Sequence, residues 1–106
     1  MAKYLFHGSY TQAGISGVLK DGGTGRVKAV EALASSIGGS VEAMYFAFGG
    51  DDFYVIADLP GHAAAAALAA TTGASGSVNI STVVLLTAED LDEAVKLHPN
   101  YRAPGA

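Results

Sequence analysis

Residues 41–59, VEAMYFAFGGDDFYVIADL, decide the fold class of this chain. Two apolar runs flank Gly-Gly-Asp-Asp, and paired glycines between such runs predict a tight β-hairpin. By strict alternation, one face of the first strand carries Val41, Ala43, Tyr45 and Ala47, and the other carries Glu42, Met44, Phe46 and Phe48. A strand with one wet face alternates apolar and polar side chains, whereas this strand is apolar on both faces. The pattern therefore predicts a hairpin that is covered on both faces.

The segments on either side of the hairpin continue as alternating strands and helices. Before the hairpin, the pattern predicts a strand over 4–10 and two helices, over 12–20 and 26–37, with a break at 21–25. After the hairpin, it predicts a helix over 62–72, a strand over 78–86 and a helix over 88–98. Two interleaved strand–helix–strand units form a ferredoxin-like α+β fold. We expect a four-stranded antiparallel sheet with both crossover helices on one face. Residues 1–98 form one predicted domain, and 99–106 an extended tail.

The second face of this sheet needs a cover, because two crossover helices protect only one face. Sheet-to-sheet packing of two copies would bury the apolar side chains of the hairpin, and it would turn Phe46 and Phe48 toward the partner. The alternative is that the last helix folds over the free face. We expect a homodimer or a higher homo-oligomer.

Five segments of the chain resemble the GYD-domain family of small bacterial and archaeal proteins. They are 17–23, 37–39, 48–60, 83–87 and 101–105. The family is similar to dimeric α+β barrel proteins, so the resemblance implies two ferredoxin-like units packed sheet against sheet. It implies no particular activity. The family usually has a tyrosine where this chain has Asp51, whereas Asp52 matches the family pattern.

Composition excludes several classes of function. The chain has 106 residues, with 6 Lys and Arg against 10 Asp and Glu, a net charge of −4 and no cysteine. Nonspecific nucleic-acid binding needs clustered basic charge, and a membrane span needs about 20 apolar residues, so neither is expected. No ligand spacing indicates a metal, and we predict no cofactor. The N-terminal residues show no charged-then-apolar leader pattern, so the expected location is cytoplasmic.

Four residues are the candidate ligand site: His7, Tyr10, Tyr45 and Tyr54, predicted to line a crevice between the sheet and the crossover helices. His7 is the candidate catalytic residue, because imidazole exchanges protons near neutral pH. Its expected partners are Tyr54, Asp58 or Tyr45, whereas Asp51 is expected in a solvated turn and Asp52 is expected to bind backbone N–H groups. The segment Gly22–Arg26 is either a hinge or an anion site.

The predicted function is a small homo-oligomeric domain of unassigned activity that binds a small molecule between its sheet and helices. Two alternatives remain open at this point. By analogy of fold alone, the chain is a cofactor-free monooxygenase-like or isomerase-like enzyme for an aromatic or polyketide-like substrate. In the other alternative it is a regulatory module that binds a larger protein.

Overall fold

The computed structural model describes all residues, 1–106, and confirms the ferredoxin-like α+β fold. Its elements are β1 (Ala2–Tyr10), α1 (Gln12–Ser36), β2 (Ser40–Phe46), β3 (Phe53–Leu59), α2 (His62–Ala74), β4 (Val78–Leu85) and α3 (Ala88–Ala94). The four strands form one antiparallel sheet in the order β2-β3-β1-β4. β1 is therefore a central strand, paired with β3 on one side and β4 on the other.

The core lies between the sheet and the crossover helices α1 and α2. Its largest fully buried side chains are Tyr4, Phe6 and Leu59, each less than 2% exposed. The other members of the core cluster are Phe53, Val55, Ala57, Ala65 and Leu68. Alternate residues of β1 and β3 thus point into the core, as expected for strands with one helix-covered face.

The predicted break in the first helical segment is a kink rather than a gap. α1 runs from Gln12 to Ser36, but Gly22 leaves helical geometry, with φ 74° and ψ 171°. This positive φ is a conformation that glycine adopts without steric penalty. Across the kink, the Arg26 guanidinium lies 3.7 Å from the Asp21 carboxylate. The kink sets the direction of the second part of α1, which resumes at Gly23.

A β-bulge in β2 overturns the strict alternation predicted for that strand. Val41 pairs with Ala57 but Ala43 pairs with Ile56, so one extra residue, Glu42, lies between the two pairs. Beyond a bulge every side chain changes face. Val41, Met44 and Phe46 consequently share the helix-covered face, packed against the core cluster. The prediction that Phe46 faces a partner is therefore wrong.

The connection from β2 to β3 is also longer than predicted. β2 ends at Phe46 and β3 begins at Phe53, so the connecting loop contains residues 47–52 instead of the tight turn predicted over 49–52. Neither Gly49 nor Gly50 has the left-handed backbone conformation that a two-residue hairpin turn needs. Phe48 lies in this loop with 86% of its surface exposed.

No helix covers the other side of the sheet, which we call the open face. Strand register arranges its side chains in rows that cross the sheet. The first row is charged and consists of Lys3, Glu42 and Asp58. Lys3 Nζ lies 2.8 Å from Glu42 Oε1 and 2.9 Å from Asp58 Oδ1. The second row is apolar and consists of Ala43, Ile56, Leu5 and Val83. The third, which we call the aromatic row, consists of Tyr45, Tyr54, His7 and Ser81.

The C-terminal segment, residues 87–106, which we call the C-terminal arm, lies away from the core. Thr87 and Asp90 form a capping box that starts α3, with hydrogen bonds of 3.1 and 3.0 Å. No residue of α3 is buried, and its apolar side chains face solvent. The radius of gyration is 16.8 Å, against about 13 Å for a compact domain of this length. The alternative in which the last helix shields the free face is therefore not observed.

None of the three helices has both the length and the apolar character needed to span a membrane.

Candidate functional site

A cavity of about 310 Å³ lies between the helix-covered face of the sheet and the two crossover helices. Most of its walls are apolar. The sheet contributes Phe6, Met44, Val55 and Ile80, and the helices contribute Val30 and Leu68. A crevice in this position agrees with the place that the sequence predicts for a ligand.

The polar lining residues of the cavity are Tyr10, Arg26, Thr72, Ser75 and Ser77. A smaller recess of about 100 Å³ shares Tyr10, Arg26 and Ser77 with the main cavity. Burial raises the pKa of the Tyr10 hydroxyl, and nearby Asp52 adds to this effect, whereas the charge and hydrogen bond of Arg26 oppose it. Tyr10 therefore stays protonated at neutral pH and can donate a hydrogen bond, while Arg26 supplies a positive charge.

Local structure holds Tyr10 in place at the end of β1. Its backbone N–H donates to the Asp52 carboxylate at 2.9 Å. Its ring packs on Phe53, with ring centroids 5.3 Å apart and planes tilted by 51°. Because Asp52 accepts from a backbone N–H, its predicted role is confirmed.

Of the four candidate ligand residues, only Tyr10 lines the cavity. His7, Tyr45 and Tyr54 lie together on the open face, so their predicted placement in the crevice is wrong. Alternation along β1 explains the separation, since His7 and Tyr10 are an odd number of residues apart and point to opposite faces. Whether these three side chains bind a ligand on the open face stays a prediction.

His7 has a partner that the sequence analysis did not propose. Its Nδ1 lies 2.5 Å from Asp51 Oδ2, so Asp51 does not simply point into solvent. The ring of Tyr54 stacks beside the imidazole, with centroids 5.9 Å apart and an interplanar angle of 12°. Tyr54 is thus one of the expected partners, whereas Asp58 binds Lys3 instead.

Sequence reasoning missed Arg26 as a cavity residue and Asp51 as the partner of His7. A weak signal existed for Arg26, because Gly22–Arg26 was one candidate for an anion site. The apolar lining residues carried no signal, because a side chain beside a cavity has the same periodicity as one in a filled core. The pairing of Asp51 with His7 joins residues 44 positions apart.

The fold and the cavity define an α+β domain of ferredoxin-like topology with a partly open, mostly apolar crevice beneath its helices. The GYD domain model matches residues 4–95, which include both crossover helices, α3 and all of the sheet except the first two residues of β1. The chain belongs to the GYD-domain family. Searches among curated proteins and among solved structures found no significant match.

Proposed function

We propose that this GYD domain binds a small molecule that is largely apolar but has one anionic end. The cavity of about 310 Å³ carries the proposal, because its walls are mostly apolar but also include the protonated Tyr10 and the charged Arg26. Natural sites for small ligands occupy about 300–1,000 Å³ and combine apolar walls with a few polar groups in the same way.

The apolar walls of the cavity support an occupant. The cavity is partly open, so its walls contact water in the free protein. Burying apolar surface contributes about 25 cal/mol per Å². A ligand that packs against Val30, Phe6 and Ile80 would remove part of that surface from water.

The polar lining residues favour a carboxylate. The planar guanidinium of Arg26 presents paired N–H donors that match the two oxygens of a carboxylate. The protonated hydroxyl of Tyr10 can donate a further hydrogen bond. Single-ring aromatic acids and medium-chain fatty acids combine this head group with an apolar body.

Titration calorimetry with such acids, and with the corresponding primary alcohols as controls, tests the proposal. We expect the acids to bind and Val30→Phe, which fills the cavity, to weaken binding at least tenfold. Val83→Phe on the open face is the matched control and should leave affinity unchanged. Arg26→Gln should weaken the acids about tenfold without affecting the alcohols, since it removes only the charged contact. Equal affinities in the two Phe variants would contradict binding in this cavity.

We further propose that the chain forms a homodimer through its open face. The apolar row of Leu5, Ile56 and Val83 supports this, because no part of the same chain covers it. From strand spacing and rise, the flat footprint of the four strands is about 450 Å². A stable interface buries about 800 Å² per partner. The exposed apolar side chains of the C-terminal arm (Leu91, Val95, Leu97 and Tyr101) could supply much of the difference.

Light scattering at micromolar concentration tests the dimer. The expected mass is about 21 kDa, twice the 10.7 kDa of one chain. Val83→Asp should give monomers, because a carboxylate at a dry interface loses hydration without gaining a partner. Val84→Asp, on the adjacent residue with its side chain on the other face, is the matched control and should remain dimeric.

Removal of residues 88–106 separates the contribution of the C-terminal arm from that of the sheet. No residue in this range is buried, so the shortened chain should fold while its dimer weakens. A wild-type chain that stays at 10.7 kDa would overturn the dimer and leave the open face to a different protein. That outcome would favour the regulatory module.

A further inference from the structure

We propose that His7 and Asp51 form a proton-transfer dyad on the open face, and that its substrate is an uncharged planar molecule, aromatic or conjugated, that stacks beside Tyr54. The site lies on the side of the sheet opposite the cavity, so it is independent of the ligand site proposed above. It shares the open face with the proposed dimer interface. The substrate therefore reaches it in the monomer, and dimerisation through that face competes with the substrate. It would give the domain an enzymatic activity that needs no cofactor.

The hydrogen bond between the two residues determines which imidazole nitrogen is available. Asp51 Oδ2 can only accept, so Nδ1 at 2.5 Å carries the proton that is shared with it. Nε2 is then the nitrogen that can take a proton from another molecule, and it has no hydrogen-bond partner within the protein. A carboxylate behind the imidazole also stabilises the imidazolium that forms when Nε2 gains this proton.

The loop that carries Asp51 is held in place by its neighbour, Asp52. The Asp52 N–H donates to the Gly8 carbonyl at 2.6 Å, and its carbonyl accepts from the Ala47 N–H at 2.9 Å. Its carboxylate accepts from the Tyr10 N–H at 2.9 Å. Two of these bonds fasten the loop to β1 and the third closes the loop on itself, so fastening does not require the bond from Asp51 to His7. The dyad is therefore preorganised, which general acid–base catalysis requires.

The aromatic row defines the class of substrate. Tyr45 and Tyr54 are 73% and 41% exposed and lie opposite one another on neighbouring strands, beside His7. A flat ring can stack on these side chains with one edge toward the imidazole. The titratable groups around His7 are Asp51 and Tyr54, while its β4 neighbour Ser81 is uncharged. Because the Asp51 carboxylate lies beside the row and the row contains no lysine or arginine, an anionic substrate is disfavoured.

The inferred reaction is a proton shift. Nε2 takes a proton from a C–H or O–H bond, and the bonding electron pair delocalises into the conjugated system of the substrate. The imidazolium then returns the same proton to another atom of that system. The substrate is isomerised with no change in composition or oxidation state, so no oxidant or second reactant is consumed.

5-Nitrobenzisoxazole is a suitable probe because it is flat, uncharged and has an acidic C–H bond. A base removes that proton, the ring N–O bond breaks, and a nitrile and a coloured phenolate form. We expect the full-length chain, at a dilution where light scattering shows monomers, to accelerate this reaction at least about 100-fold over free imidazole at the same concentration. His7→Gln should abolish the acceleration, whereas His98→Gln, in the exposed C-terminal arm, should leave it unchanged.

Two further variants separate positioning from binding. Asp51→Asn should lower kcat about tenfold with little change in KM, and Tyr54→Ala should raise KM while Tyr54→Phe preserves it. Independently of activity, ¹⁵N NMR should show the Nδ1–H tautomer of neutral His7 in the wild type and a shift toward Nε2–H in Asp51→Asn. Val30→Phe, which fills the cavity, should leave the rate unchanged, so this site and the cavity can fail separately.

Several results would overturn the dyad. They are a rate no higher than that of free imidazole, a His7→Gln variant as active as the wild type, or an Nε2–H tautomer in the wild-type protein. If His7→Gln does not fold, the kcat of Asp51→Asn and the tautomer decide the question.

Discussion

Two glycines in the first turns of α1 should respond in opposite ways to the same substitution. At Gly14, a Cβ atom would overlap the carbonyl oxygen of Ser77 and lie 3.1 Å from Cδ1 of Tyr10. At Gly17, three residues further along the same helix, a Cβ atom would meet nothing within 4 Å. Gly14→Ala should therefore destabilise the protein, and Gly17→Ala should stabilise it.

The size of each effect follows from the contacts. Replacing a helical glycine by alanine contributes about 1 kcal/mol in a helix interior, which is the whole expected effect at Gly17. At Gly14 the segment before β4 must move by about 1.4 Å, from 2.0 Å to the 3.4 Å at which ordinary contact begins. That movement breaks the bonds from Thr11 N to Ser77 O at 3.0 Å and from Thr11 Oγ1 to Gly76 O at 2.7 Å.

Two lost hydrogen bonds and the residual overlap destabilise by about 3–4 kcal/mol, which exceeds the helix-propensity gain and leaves a net loss of about 2–3 kcal/mol. Thermal unfolding followed by circular dichroism should show Gly14→Ala melting about 10–20 °C below the wild type. Gly17→Ala should melt about 4–8 °C above it. Urea titrations with unchanged m-values would show that the substitutions change stability and not the surface exposed on unfolding. Equal shifts in the same direction would refute the close approach of Gly14 to Ser77.

Three further predictions concern the core, the loop and the cavity. Leu59→Ala should destabilise by about 2–5 kcal/mol in urea titration because Leu59 is fully buried, whereas Leu86→Ala, at an exposed leucine, should change stability by less than about 0.5 kcal/mol. Asp52→Ala should cost about 1–3 kcal/mol, since it leaves the Tyr10 N–H without its acceptor; an unchanged urea midpoint would contradict that bond. Because the pKa of Tyr10 is raised in the folded state, mainly by burial, its contribution to stability is complete below about pH 10 and is lost as the pH rises through the folded-state pKa. Tyr10→Phe should therefore flatten the alkaline loss of stability, and an identical pH–stability curve would show that Tyr10 is not buried.

Much of the fold follows from short-range patterns. Alternation in β1 and β3 and the glycine-rich breaks predicted the order of the elements and the ferredoxin-like topology. The same alternation already separates His7 from Tyr10, so the division of the candidate site between two faces was implicit in the sequence. These features are readable because side-chain direction in a regular strand or helix depends only on spacing along the chain.

Other features appeared only in the tertiary structure. The bulge at Glu42 reverses the faces of Met44 and Phe46, and it is defined by pairing with β3 rather than by any residue within β2. The bond from Asp51 to His7 depends on how the β2–β3 loop approaches β1. The cavity beneath the helices depends on how closely α1 and α2 approach the sheet. Each of these is set by contacts between residues far apart in the chain, and composition and periodicity do not record such contacts.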